Sequence, residues 1–93
     1  MDDAGKCCVH AYVSGRVQGV WFRAFTRENA RTHDVKGWAK NLADGRVELM
    51  LEGTAADVDR VLDAVRTGPP HAKVTDLLQQ RVPCQGFTDF TTQ

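Results

Sequence analysis

The chain has 93 residues, enough for one hydrophobic core and too few for two, so we expect a single domain over residues 1–93 with residues 1–6 as a loose tail. Its 12 basic and 12 acidic residues cancel, which argues against binding to nucleic acid or to a membrane surface through net charge. No apolar run approaches the roughly 20 residues that span a membrane. The acidic start also lacks the apolar segment of a signal peptide, so we expect a cytoplasmic protein.

The first half of the chain predicts a strand, a loop and a helix. Residues 7–14 carry apolar side chains at alternate positions, which is typical of a strand. After a loop that contains glycine, Phe22 begins a helical repeat whose solvated face carries Arg27 and Arg31. Asp34 suits the end of this helix, because aspartate tolerates left-handed dihedral angles better than most residues do.

The second half predicts a hairpin, a second helix and two more strands. Residues 35–41 and 46–52 are predicted as strands joined by an Asp-Gly turn. Thr54 is placed to cap a helix that stops at Gly68. Residues 72–82 are predicted as a strand that lies at an edge of the sheet or carries a bulge. Residues 87–91 are predicted as a short last strand, whose two aromatic residues, Phe87 and Phe90, close the core.

This order of elements predicts the fold class. Strand, helix, strand, strand, helix, strand is the βαββαβ order of an α+β, ferredoxin-like (split βαβ) sandwich. Right-handed crossovers place both helices on one face of a mainly antiparallel sheet of four to five strands. The opposite face of the sheet is then expected to be open to solvent.

The loop between the first strand and the first helix predicts an anion site. Gly15 and Gly19 permit backbone angles closed to other residues, so several N–H groups of the loop can point toward one place. The helix that follows adds its positive end, and Arg16 and Arg23 add guanidinium groups. These donors form a cradle suited to phosphate, although an ordinary turn with two solvated arginines would contain the same residues.

An amide side chain is expected beside this cradle. Asn41 ends the second predicted strand, and in the ferredoxin-like topology that end lies at the same side of the sheet as the glycine loop. We therefore expect Asn41 and Arg23 to approach one another.

Two segments resemble the signature motifs of the acylphosphatase family. Residues 15–23 match the first signature with Gly-Arg-Val-Gln-Gly-Val-Trp-Phe-Arg, and residues 37–45 match the second with Gly-Trp-Ala-Lys-Asn-Leu-Ala-Asp-Gly. The spacing of the two motifs also matches, so the resemblance covers nearly the whole chain and points to a small, free-standing, bacterial-type enzyme. The chain departs from the family pattern at residues 33–34 and 91–92, away from both motifs.

The resemblance implies hydrolysis of acyl phosphates to a carboxylate and inorganic phosphate. Arg23, at the position of the catalytic arginine, would bind the phosphoryl oxygens, and Asn41, at the position of the catalytic asparagine, would hold the attacking water. The cradle would be completed by the backbone N–H groups of six residues: Gly15, Arg16, Val17, Gln18, Gly19 and Val20. No cofactor or metal is implied, since a carboxylate whose acid has a pKa near 4 leaves without a general acid.

Two alternatives use the same fold without hydrolysis. An RNA-binding domain would stack bases on the open sheet face, where Tyr12 and Trp38 could point, but Glu48 and Glu52 on the same face would repel phosphates. A regulatory domain would bind phosphate without turnover. Turnover of a model acyl phosphate separates the enzyme from both alternatives.

The three cysteines and the surface give the remaining predictions. Cys7, Cys8 and Cys84 form an odd set without Cys-x-x-Cys spacing, so all three are predicted to be reduced and structural. No exposed apolar stripe is evident, so we expect a monomer. Its partners would be the acyl phosphate substrate and the inorganic phosphate product, with no nucleic acid and no membrane.

Overall fold

Two helices pack on one face of a five-stranded sheet in the computed structural model, which describes residues 5–93. The elements in chain order are β1 (Lys6–Arg16), α1 (Phe22–Thr32), β2 (Lys36–Asn41), β3 (Val47–Thr54), α2 (Ala55–Thr67), β4 (Lys73–Arg81) and β5 (Phe90–Thr92). The strand order is β4-β1-β3-β2-β5, and all pairs are antiparallel except β2 with β5. The predicted α+β, ferredoxin-like fold is confirmed. Neither helix in the described part of the chain has the length and apolar content needed to cross a membrane.

The first strand begins earlier than predicted. Residues 1–4 of the expected tail lie outside the described residues, whereas Lys6 already belongs to β1 and pairs with Thr54 of β3. Lys6, which was expected in the tail, is part of the sheet because β3 continues two residues beyond its predicted end and offers a partner there.

The core lies between the sheet and the helices. Alternate residues of β1 and β3, among them Val13 and Leu49, point at the helices and are fully buried. The apolar repeat of α2 faces them, as the sequence predicts. Phe90 joins this core with no exposed surface, but Phe87 is half-buried and lies outside it. β5 begins only at Phe90, so Phe87 lies in the irregular segment before this strand and not in the sheet.

Both helices end where the sequence predicts. The Thr54 hydroxyl accepts a hydrogen bond from the Asp57 N–H at 3.2 Å and so caps α2, and Gly68 follows the last turn with a φ of 74°. Asp34 follows α1 with a φ of 57°. Since glycine and aspartate tolerate positive φ, the chain can leave each helix at once and return to the sheet.

The sheet face opposite the helices is not open throughout. Cys8, Met50 and Glu52 are buried on this face, although the sequence predicted that it would meet solvent. At Cys8 and Glu52 the cause is the segment at residues 82–89, which leads from β4 at one edge of the sheet to β5 at the other and contacts both residues. Glu52 anchors this segment, since its carboxylate accepts the N–H groups of Gln85 and Gly86 at 2.9 and 3.1 Å.

Arg31 joins α1 to the last strand. It donates to the Asp89 carboxylate at 3.2 Å and to the Phe90 carbonyl at 3.1 Å. The prediction that Arg31 is only part of a solvated face was therefore wrong, because β5 lies at the sheet edge beneath the end of α1.

The pairing register determines where the ends of β1 and β2 lie. Both strands run antiparallel to β3, which separates them, so they are parallel to each other. Val13 of β1 and Asn41 of β2 pair with the same residue, Val47. The loop after β1 and the end of β2 therefore meet at one end of the sheet.

Candidate active site

A pocket of about 120 Å³ opens where the loop after β1, the start of α1 and the end of β2 meet. This volume is several times the roughly 10–15 Å³ that a single water needs on the same measure. Arg23 and Asn41 both line the pocket, as the topology predicts. Its full lining consists of Val17, Gly19, Trp21, Phe22, Arg23, Ala24 and Asn41.

The glycine loop contributes to the pocket through its second half. Among the described residues, no backbone carbonyl accepts a hydrogen bond from the N–H groups of residues 17–20, and Val17 and Gly19 of this segment line the pocket. Gly15 and Arg16 instead extend β1 and pair with β4, opposite Val74 and Lys73. A side chain on Gly15 would meet the Lys73 carbonyl oxygen at 2.1 Å, so glycine is needed there for strand pairing.

Gln18 ties the loop to the hairpin that follows β2. Its side-chain Nε2 donates to the carbonyls of Leu42 and Arg46 at 2.8 and 3.0 Å. The hairpin begins immediately after Asn41, so these two bonds fix the distance between the loop and the Asn41 side chain. Of the six loop residues predicted to form the cradle, Val17 and Gly19 line the pocket, whereas Gly15, Arg16, Gln18 and Val20 do not. The contact of Gln18 with the hairpin could not be predicted from the sequence pattern.

Arg23 lies in the first turn of α1, where the electrostatic field is positive. Nη1 of Arg23 donates to the backbone carbonyl of Gln93 at 2.5 Å, which holds the guanidinium group from one side. The first turn of α1 carries no acidic residue, and within residues 5–93 no side chain caps it. The positive end of the helix is thus not neutralised and adds to the charge of Arg23.

Asn41 presents an unsatisfied oxygen. Among the described residues, Asn41 Oδ1 is a buried side-chain oxygen with no hydrogen-bond partner. A buried acceptor left without a partner costs about 1–3 kcal/mol, so proteins seldom retain one without a reason. Because Asn41 lines the pocket, a water or ligand that donates a hydrogen bond there would satisfy this oxygen.

Trp21 is a pocket residue for which the sequence pattern predicts no role. It lies immediately before α1 with a φ of 67°, in the left-handed region, and its side chain is 56% exposed. The sequence feature that could have indicated a role for Trp21 is a large aromatic residue in a loop that otherwise contains glycine. The contact of Arg23 with the Gln93 carbonyl had no such signal, since 70 residues separate the two.

One group of side chains at the other end of the sheet could hold a metal ion. Ligand atoms of Cys8, Glu52 and Cys84 lie within 4.8 Å of one another. The carboxylate of Glu52, however, already accepts backbone N–H groups and lies 3.5 Å from the Lys6 ammonium group. Burial, assisted by Cys84 and Glu52, raises the pKa of Cys8 to about 12, so this thiol keeps its proton at neutral pH. These contacts indicate a structural cluster that holds residues 82–89 against the sheet.

The aromatic residues on the outer sheet face contact one another and their neighbours. The His10 ring lies 4.9 Å from that of Tyr12 and 6.4 Å from that of Trp38, and its Nε2 is 2.6 Å from the Glu48 carboxylate. The Arg46 guanidinium group stacks 4.5 Å from the centre of the Tyr12 ring. These contacts explain the aromatic residues on this face without a stacked base.

Known proteins resemble this chain over nearly its full length. The family model described as acylphosphatase matches residues 9–92. An acylphosphatase of Methylococcus capsulatus is 49% identical over 83 residues, which are 88% of this chain and 90% of that protein.

Solved structures agree with this match. An acylphosphatase from Coxiella burnetii superposes with a TM-score of 0.95 at 32% identity and covers 100% of this chain and 98% of its own. One from Bacillus subtilis gives a TM-score of 0.90 at 37% identity, with 92% and 97% covered. The sequence match, the superposition and the two motifs around one pocket agree, and the chain belongs to the acylphosphatase family.

Proposed function

We propose that this protein hydrolyses acyl phosphates to a carboxylate and inorganic phosphate, with Arg23 and Asn41 as its catalytic residues. The observation that carries the proposal is that one pocket is lined by the Arg23 side chain, by Asn41 with its unpartnered amide oxygen, and by a loop whose backbone N–H groups donate to no backbone carbonyl. Membership of the acylphosphatase family supports the same reaction.

The phosphoryl group binds in the cradle formed by the loop and α1. Arg23 donates to two phosphoryl oxygens, which suits the planar fork of a guanidinium group. The N–H groups of residues 17–20 and the positive end of α1 supply further donors. The Gln93 carbonyl occupies one N–H of Arg23 and so orients the others toward the pocket. Phosphoryl transfer passes through a loose transition state with charge on the equatorial oxygens, so these fixed donors stabilise it.

The nucleophile is a water molecule held by Asn41. Its O–H donates to Oδ1 of Asn41, which directs an oxygen lone pair toward phosphorus. A bond forms between the water oxygen and phosphorus, and the bond between phosphorus and the acyl oxygen breaks with its electron pair leaving on the carboxylate. One proton of the water passes to a phosphoryl oxygen, so an acyl phosphate dianion and water give a carboxylate and H₂PO₄⁻. An amide is a poor base, so Asn41 positions the water and takes no proton.

The same proposal describes a cytoplasmic monomer that acts on a small molecule. Support comes from the zero formal net charge and from three free cysteines, which are typical of a reducing compartment. Trp21 and Leu78 are the exposed large hydrophobic residues within the described part of the chain, too few for a broad interface. Light scattering would give the oligomeric state, and a filter-binding assay with RNA would test the absence of nucleic-acid binding.

Hydrolysis assays on matched variants test the catalytic roles. We expect Arg23→Ala to weaken phosphate binding and to lower kcat by on the order of 10³-fold, as loss of a catalytic arginine does elsewhere. Asn41→Ala should lower kcat by about 10²-fold or more while competitive inhibition by phosphate is retained, because only the water loses its position.

Arg27→Ala is the matched control, since Arg27 is another half-buried arginine of α1 that does not line the pocket. It should behave as wild type. Full activity of Asn41→Ala would refute the role of Asn41 in positioning water. Phosphate binding by a wild-type protein that shows no turnover would instead establish the regulatory alternative.

A further inference from the structure

Trp21 occupies a backbone conformation that its side chain disfavours. A φ of 67° and a ψ of 17° lie in the left-handed helical region, where a bulky residue is an outlier and glycine fits without strain. Trp21 is also the N-cap of α1, a position that favours short side chains with an oxygen acceptor. Tryptophan is thus unfavourable for stability here on two counts, which directs attention to what its side chain does.

Trp21 borders the pocket, and its ring packs against a second aromatic ring. It lines the pocket with Arg23 and Asn41 and keeps 56% of its surface exposed. Its centroid lies 6.3 Å from that of Phe25 at an angle of 66°, an edge-to-face contact, and Phe25 lies 6.4 Å from the buried Phe22. A row of three aromatic rings therefore runs from the core to the pocket, with its last ring exposed.

The proposed reaction indicates what this ring would meet. When phosphorus is held by Arg23 and attacked by water on Asn41, the in-line geometry sends the leaving carboxylate away from Asn41. The acyl group then lies outside the phosphate cradle, along the remaining pocket wall. Trp21 is the exposed large hydrophobic residue of that wall.

We propose that Trp21, supported by Phe25, forms the subsite for the acyl group and makes the enzyme selective for acyl phosphates with a flat aromatic acyl group. This inference rests on the proposed function. A planar acyl group presents a face that packs on the indole, and contact between aromatic rings adds to the gain from covering apolar surface. A small acyl group such as acetyl covers little of the ring and gains little.

The test is the ratio of kcat/KM for benzoyl phosphate to that for acetyl phosphate. For Trp21→Gly we expect this ratio to fall roughly ten-fold, which corresponds to loss of one aromatic contact of about 1.4 kcal/mol. Trp21→Phe should retain most of the ratio. Leu78→Ala is the matched control, because Leu78 is also 56% exposed but lies on β4 outside the pocket, and its ratio should equal that of wild type.

Thermal unfolding of the same variants separates a subsite from a folding defect. Trp21→Gly should unfold at or above the wild-type temperature, because glycine relieves the left-handed strain. If the ratio for Trp21→Gly equals that of wild type, as it does when kcat/KM falls by the same factor for both substrates, the subsite is overturned. A wild-type protein that hydrolyses neither substrate would instead overturn the proposed function.

Discussion

Glu52 provides a prediction that joins stability, pH and the active site. The Glu52 side chain is 2% exposed, and its carboxylate accepts hydrogen bonds from the backbone N–H groups of Gln85 and Gly86. Burial by itself would raise the pKa of Glu52, but these two N–H groups and the nearby Lys6 outweigh burial and lower the pKa below the ordinary 4.5. The charged form is therefore the one that holds residues 82–89 on the sheet.

The substitution Glu52→Gln keeps the shape of the side chain and removes its charge. A hydrogen bond to a charged group contributes about 1.5–3 kcal/mol and a neutral one about 0.5–1.5 kcal/mol, so weakening two of them should cost roughly 2–3 kcal/mol. At about 4–8 °C per kcal/mol for a domain of this size, the unfolding temperature at pH 7 should fall by roughly 8–24 °C. Residues 82–89 lead to β5 and to Gln93, whose carbonyl holds Arg23, so kcat/KM should also fall modestly.

The pH dependence gives the sharper check. Because the folded-state pKa of Glu52 is lowered, its contribution is present above the unfolded-state pKa near 4.5 and is lost as pH falls through the folded-state pKa. Urea unfolding at a series of pH values should therefore show a gap between wild type and Glu52→Gln that closes in acid. Glu28→Gln, a change at an exposed position of α1, should alter stability by less than about 0.5 kcal/mol. Equal stability of wild type and Glu52→Gln at pH 7, or a gap that persists in acid, would refute the reasoning.

Two further predictions concern the glycine loop. Gly15→Ala should destabilise the fold by at least about 2 kcal/mol, since the new Cβ would meet the Lys73 oxygen at 2.1 Å at a φ of 117°. Gly19→Ala meets no atom within 4 Å and should cost only about 1–2 kcal/mol for its positive φ; chemical denaturation compares the two, and equal losses would contradict the steric argument. Gln18→Ala removes two hydrogen bonds to the hairpin and should lower kcat by roughly ten-fold, because Asn41 is less well held. Steady-state kinetics would show this, and an unchanged kcat would mean that the hairpin is held by other contacts.

Local pattern was sufficient to predict most of the fold. The alternation in β1 and β3, the 3.6-residue repeat of α2 and the Thr54 cap each depend on residues close in the sequence, so each could be predicted before any contact was known. The meeting of Arg23 and Asn41 also followed from the order of elements, because that order makes β1 and β2 parallel on either side of β3. The roles of these two residues came from the family resemblance.

Tertiary structure alone decided the features that join distant parts of the chain. Residues 82–89 have no periodic pattern, so their sequence does not predict that they cross the sheet and bury Cys8 and Glu52. The unpartnered oxygen of Asn41 and the exposure of Trp21 likewise depend on which groups lie next to them in the folded chain. Periodicity reports which face of an element is buried, whereas hydrogen-bond satisfaction and exposure are sums over all neighbours, and those neighbours are set only when the chain has folded.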